Sequence, residues 1–247
     1  MEEEAKRAVK VRLVCERAPS GPGSSGTLAL VFEIASHWHI YWRNAGDTGL
    51  PISVEFEAPA GVKIGPAQWP APMRLVSPGE ILDYVYENST ALFFPIEFSS
   101  NAASPVTIRA HVDWLVCREA CVPGSADVSL TLPGAPLDDS EAKRVAQARA
   151  RVPRPANGSG ATVRAVWRGL ELNFESPGAT SLTFFPYESD EAQAINLLER
   201  GVANGHRLSI GYAESVRSAD RVRGVLEVRR EGPPLFVLID EPPPGSE

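Results

Sequence analysis

Two cysteines with three residues between them are the side chains of this 247-residue chain whose types and spacing most directly suggest chemistry. Cys117 and Cys121 sit in the stretch from His111 to Pro123, His-Val-Asp-Trp-Leu-Val-Cys-Arg-Glu-Ala-Cys-Val-Pro. Two thiols within reach of each other can close into a disulfide and exchange it with another thiol, or they can hold a soft metal ion. On a straight strand, four residues separate Cα atoms by about 13 Å, whereas a disulfide tolerates at most about 7 Å. The chain must therefore fold back between them. With Arg118, Glu119 and Ala120 as a three-residue hairpin loop, the cysteines face each other with Cβ atoms about 4.5–5.5 Å apart, which permits a disulfide. A helical turn also brings positions i and i+4 together, but the β-branched residues before Cys117 and the Val122-Pro123 pair after Cys121 favour the hairpin.

Parity along the preceding segment assigns its faces. Val106, Ile108, Ala110, Val112, Trp114 and Val116 form a core face, while Thr107, Arg109, His111, Asp113 and Cys117 point the other way. Cys117 is thus expected off the core side, where a thiol can be reached. Asp113 lies about 13 Å and His111 about 20 Å from it along a straight strand, so neither can serve as its base unless the strand bends. The third cysteine, Cys15, shares an alternating face with Val9, Val11 and Leu13 and reads as a buried free thiol. His37 and His39 fall on one face of a strand and could pair on a metal, or could be ordinary strand histidines beside Trp38 and Trp42.

The elements that position these residues are β-strands. Alternation marks strands at Ala8 to Arg17, Leu28 to Ile34, Ile52 to Phe56, Ala91 to Phe98, Val106 to Val116 and Asp127 to Leu132. Ser36 to Pro51 crowds aromatics ahead of a Gly-rich turn, and Gly79 to Asn88 reads as a loop carrying Tyr84 and Tyr86. After the Pro133 to Pro136 breaker, Asp139 to Arg151 reads as a capped helix, and Pro155 to Gly160 as a linker. Further strands follow near Thr162 to Trp167, Leu170 to Glu175, Ser181 to Pro186, Arg207 to Tyr212, Val222 to Arg230 and Leu235 to Asp240, with a short helix at Asp190 to Arg200. The expected architecture is all-β: two immunoglobulin-like β-sandwich domains, 1–136 and 161–247, joined by a helix and linker at 137–160.

A formal charge of −7 and the lack of clustered Lys and Arg disfavour a nucleic-acid surface. No apolar run approaches the length of a membrane span or a signal-peptide core. The acidic start, Met1 to Glu4, reads as the trimmed front of a mature domain, and Glu241 to Gly245 as a cut linker.

Several separate stretches together resemble one family. His37 to Pro51, Trp69-Pro70-Ala71-Pro72, Asp83 to Glu87, and Trp114 to Cys117 with Cys121-Val122-Pro123 are similar to the N-terminal periplasmic region of the DsbD/ScsB thiol:disulfide interchange proteins, nearest the ScsB branch. The resemblance covers residues 8 to 135 by motif and the remainder more loosely. It implies an immunoglobulin-like domain whose cysteine pair, Cys117 and Cys121, takes electrons from the transmembrane and C-terminal thioredoxin-like domains of the same full-length protein. The pair passes them to periplasmic partners of thioredoxin fold, with no cofactor beyond the redox-active disulfide. It also implies that Cys121 forms the mixed disulfide, and that a cap loop, here Leu82, Asp83, Tyr84, Val85 and Tyr86, shields the pair. The cysteine spacing is shorter here than in DsbD.

Two other readings remain beside this one. An immunoglobulin-like binding module can keep an inert structural bridge between Cys117 and Cys121. A copper or zinc site can be built from Cys117, Cys121 and His37 or His39.

Overall fold

Val106 to Leu132 folds into one hairpin, and the rest of the first sandwich is laid against it. The computed structural model describes residues 2–100, 105–132 and 134–245. Met1 of the acidic start and Pro133 of the breaker lie outside them. The first ten strands are β1 (Val9–Arg17), β2 (Ser25–Ile34), β3 (His39–Gly46), β4 (Ser53–Glu57), β5 (Val62–Ile64), β6 (Met73–Ser77), β7 (Ile81–Glu87), β8 (Ser89–Phe98), β9 (Val106–Cys117) and β10 (Cys121–Leu132). One sheet of the first unit has the order β1-β2-β8-β5; in the other, β9 lies between β10 and β3, with β4 also paired to β9.

Side-chain period explains why β9 sits as it does. Val106, Ile108, Ala110, Val112, Trp114 and Val116 are all buried, as strict alternation predicts. Trp114 meets Phe32 edge-on at 6.4 Å between ring centroids. In register across the hairpin stands Gly124, where a Cβ would lie 2.5 Å from the indole of Trp114. Glycine leaves the room that the indole fills.

On β2, Leu28 to Phe32 are buried without interruption, because both faces are covered. Leu28, Leu30 and Phe32 share one face; Ala29 and Val31 meet Val145 and Ala148 of helix α2 (Asp139–Ala150) on the other. The N-terminus of α2 is closed by Asp138, whose carboxylate accepts from the Glu141 N–H at 2.8 Å. Near its C-terminus, Arg149 stacks over Phe93 at 3.6 Å and pairs with Glu16. A helix of 12 residues is marginal in water by itself, so this docking is what holds it. The helix expected between the two domains is therefore part of the first.

The second unit contains β11 (Arg154–Pro155), β12 (Arg164–Arg168), β13 (Glu171–Glu175), β14 (Ser181–Pro186), β15 (Ala194–Ile195), β16 (Val202–Asn204), β17 (Arg207–Tyr212), β18 (Val222–Arg229) and β19 (Leu235–Glu241). Its sheets run β11-β19-β18-β14-β16 and β12-β13-β17-β15, around a core that includes Leu172, Phe174, Phe184, Ile210, Leu226 and Val237. The units divide by contacts at Val152 and Pro153, with Gly46–Thr48 and Ala71–Tyr84 grouped with the second. The molecule is thus all-β, built as two β-sandwich units, the first immunoglobulin-like.

Four local expectations change. Glu2–Ala8 is a short helix, α1. The linker at Pro155 to Gly160 is ordered: Arg154–Pro155 pairs parallel to β19, and the Ser159 hydroxyl bonds the Ala156 carbonyl and the Ala161 N–H, closing a helical turn. The helix expected at Asp190 to Arg200 shrinks to Leu197–Arg200, because Ala194–Ile195 pairs as a strand with β17. Cys15 is half-buried rather than fully buried, at the end of β1 where the register with β2 slips between Cys15 and Arg17. Burial pushes its thiol pKa up, so it is a poor nucleophile.

Gly124→Ala is expected to destabilise the first unit by about 1–3 kcal/mol in denaturant unfolding, since the added methyl must displace Trp114 or β10. A variant as stable as the parent would contradict this packing.

Candidate functional site

The turn that joins β9 to β10 sets the geometry of the cysteine pair. Cys117 and Cys121 are cross-strand partners and form a disulfide, with Cα atoms 4.1 Å apart. Arg118, Glu119 and Ala120 make the loop, and the Arg118 N–H reaches the Ala120 carbonyl at 3.3 Å. The hairpin reading of the spacing holds.

On the other side of β9, the start of β3 supplies the polar contacts. His39 pairs with Cys117 and Ile40 with Val116. Two residues along β3, on the same face as His39, Tyr41 donates its hydroxyl hydrogen to Cys117 Sγ at 3.1 Å and lies 3.8 Å from Cys121 Sγ. His39 Nε2 is 3.4 Å from the Tyr41 hydroxyl, and the two rings meet edge-on at 5.4 Å. The Gly-rich turn after β3 folds back over Tyr41. Gly49, at φ +88°, sits so close that a Cβ would lie 2.2 Å from the tyrosine ring, and Pro51 bridges to Tyr41. Beside the pair, the Arg118 guanidinium lies over the Trp38 ring at 4.9 Å from its centroid.

The two sulfurs have unlike surroundings. Cys117 is 3% exposed, with Tyr41 at 1%, whereas Cys121 is exposed. Parity placed Cys117 correctly on the outer face of β9, but that face is covered here by Tyr41, so the reachable sulfur is Cys121. Sequence reasoning missed Tyr41. Its spacing of two from His39 was the available signal, and only the pairing of β3 with β9 gives it meaning.

The stretch expected as a cap loop is a strand. Leu82, Asp83, Tyr84, Val85 and Tyr86 lie in β7 and are all buried. The turn before it, at Gly79 and Glu80, has left-handed φ values of +89° and +64°. Tyr84 packs edge-on against Phe185 at 5.6 Å, and burial drives its phenol pKa far up. The Asp83 carboxylate accepts from the Thr48 N–H at 2.8 Å and from its hydroxyl at 2.7 Å. Tyr86 donates to the Pro70 carbonyl at 2.6 Å. Tyr41 is in contact with the disulfide.

The remaining candidates stand apart from sulfur chemistry. His37 is exposed at φ +69°. His111 is exposed, its Nδ1 2.7 Å from Asp127, whose hydrogen bond raises the imidazole pKa. Among the described residues, no group of three or more His, Cys, Asp and Glu side chains is arranged to hold a metal.

Residues 9–133 match the family model described as thiol:disulfide interchange protein DsbD, N-terminal. No curated protein sequence matches. Among solved structures, the N-terminal periplasmic domain of ScsB from Proteus mirabilis aligns with a TM-score of 0.65 at 17% identity, over 96% of this chain and 94% of that one. The reduced DsbD N-terminal domain of Neisseria meningitidis aligns with a TM-score of 0.33 at 16% identity, over 53% of this chain and 89% of that one. The ScsB likeness gives a common fold over nearly the whole chain. Among the described residues, no helix is long and apolar enough to cross a membrane.

Tyr41→Phe removes the hydroxyl that would stabilise a Cys117 thiolate as it leaves. Reduction of the disulfide by dithiothreitol is expected to slow about tenfold, the worth of one hydrogen bond to a charged group. Tyr84→Ala is expected to leave that rate unchanged. A several-fold acceleration in Tyr84→Ala would restore the aromatic lid.

Proposed function

The chain belongs to the family of the DsbD N-terminal domain, and we propose that it is a periplasmic relay that passes electrons from a membrane-embedded reductase to thioredoxin-fold proteins through Cys117 and Cys121. In the reduced domain, the Cys121 thiolate attacks a disulfide of the partner. One partner sulfur leaves as a thiolate, and a mixed disulfide to Cys121 forms. Cys117, as thiolate, then attacks Cys121 Sγ, restoring the intramolecular disulfide and releasing the second partner sulfur. The partner gains two electrons and the domain loses two. Recharging runs the same bonds in reverse: an upstream thiolate attacks Cys121 Sγ, and Cys117 leaves.

The observation that carries this reading is the asymmetry of the pair. Cys121 is open to an incoming sulfur, while Cys117 is buried and hydrogen-bonded by Tyr41. In-line attack at an exposed sulfur whose partner is a stabilised leaving group is what exchange requires. An inert bridge in a binding module needs neither feature.

Cys117→Ser leaves a single reactive thiol at Cys121 that cannot be displaced. Incubated with an oxidised thioredoxin-fold protein from the periplasm, this variant is expected to accumulate a mixed disulfide that survives non-reducing electrophoresis. Cys121→Ser is expected to accumulate far less, because Cys117 is buried and Cys15 is half-buried with a thiol pKa pushed up by burial. Equal trapping by both variants, or by neither, would count against the assigned roles.

A further inference from the structure

The relay just proposed leaves one chemical need unmet. Cys117 must be a thiolate to resolve the mixed disulfide, yet the residue is only 3% exposed and its sulfur lies against the buried Tyr41 hydroxyl. A thiol with an unshifted pKa of about 8.5 is only a few per cent ionised near neutral pH, and burial lowers that fraction further. A proton must therefore leave a covered atom, and later return to it.

The contacts of Cys117 supply a route. Cys117 Sγ is 3.1 Å from the Tyr41 hydroxyl, and that hydroxyl is 3.4 Å from His39 Nε2. His39 is half-buried, so the chain of contacts runs from a covered sulfur, through a buried hydroxyl, to an imidazole at the protein surface. A hydroxyl can donate and accept at once, which a phenylalanine ring cannot. Register fixes the arrangement, since His39 lies opposite Cys117 and Tyr41 follows on the same face.

We propose that His39, a positioning residue acting through Tyr41, takes up and returns the proton of Cys117 during thiol-disulfide exchange; this inference rests on the exchange reading above. In the resolving step, the Cys117 S–H proton passes to the Tyr41 oxygen as the Tyr41 proton passes to neutral His39 Nε2. The sulfur pair so freed forms the bond to Cys121 Sγ, and the partner sulfur departs with the electrons of the broken bond. His39 then holds the proton as imidazolium until it is lost to solvent. In the recharging direction, imidazolium gives its proton to Tyr41 as Tyr41 protonates the departing Cys117 thiolate. His39 touches Tyr41 on its own strand and stands opposite Cys117 on β9.

The test separates the two sulfurs in time. In a Cys15→Ser background, the reduced chain is mixed with excess 5,5′-dithiobis(2-nitrobenzoate). Attack by Cys121 releases a first thionitrobenzoate; displacement by Cys117 releases a second. The second-phase rate is expected to rise with pH through the imidazole range, near about 6.5. In His39→Gln, and independently in Tyr41→Phe, it is expected to follow the thiol range near about 8.5 instead, and to fall at least about tenfold at pH 7. The double variant is expected to be no slower than the slower single one, because both changes break one route. If His39→Gln keeps the parental pH profile of the second phase, the relay is wrong and the exchange reading stands. If the parent shows no fast first phase from Cys121, the exchange reading itself fails. Should His39→Gln lose its native circular dichroism, Tyr41→Phe, which removes a single oxygen, decides the matter alone.

Discussion

A tyrosine hydroxyl bonded to the buried cysteine of a disulfide whose other cysteine is exposed is the interaction around which the site is arranged. It requires β3 and β10 to flank β9 at the same level, so that His39 and Cys121 are both register partners of Cys117. It also requires the tyrosine to be held down. The turn through Gly49 to Pro51 does this, and glycine with a left-handed φ is the residue that can lie flat on the ring. A buried sulfur and a reachable one then follow from strand pairing, with no separate device needed to make them unlike.

The sandwich beneath serves that pairing. Trp114 fills the space above Gly124 and fixes the end of the hairpin nearest the disulfide, while α2 seals the far side of the β1-β2-β8 sheet through Val145 and Ala148. Dispersion and burial spread over many contacts give the hairpin a rigid base. Rigidity matters for exchange, because the attacking sulfur, the bridging sulfur and the leaving sulfur must come into line.

Much of this was legible in the chain because strand period is a local signal. The core face of β9 from Val106 to Val116, the hairpin forced by four-residue cysteine spacing, and the six longer strands of the second unit could be read without any long-range pairing. The strand β7 was not. Its run Ile81 to Tyr86 is buried almost throughout rather than alternating, and a strand covered on both faces looks like an apolar segment of any kind. Tyr41 was lost for a different reason: its meaning lies in contact with a residue 76 positions away, and only strand order brings them together. Cys15 was placed on the right face, but its position at a register slip, which sets its half-burial, leaves no mark in the alternation.

The central claim is that this disulfide is poised for exchange rather than locked as a strut. Its reduction potential tests that most directly. The domain would be equilibrated across a series of reduced and oxidised thiol buffers, the free thiols alkylated, and the fraction of open Cys117–Cys121 bridge counted by mass. A poised site is expected to be half reduced at a potential well above about −300 mV, within range of the thioredoxin-type couples. A bridge that stays closed until potentials below about −300 mV would be a structural disulfide, and would contradict the account.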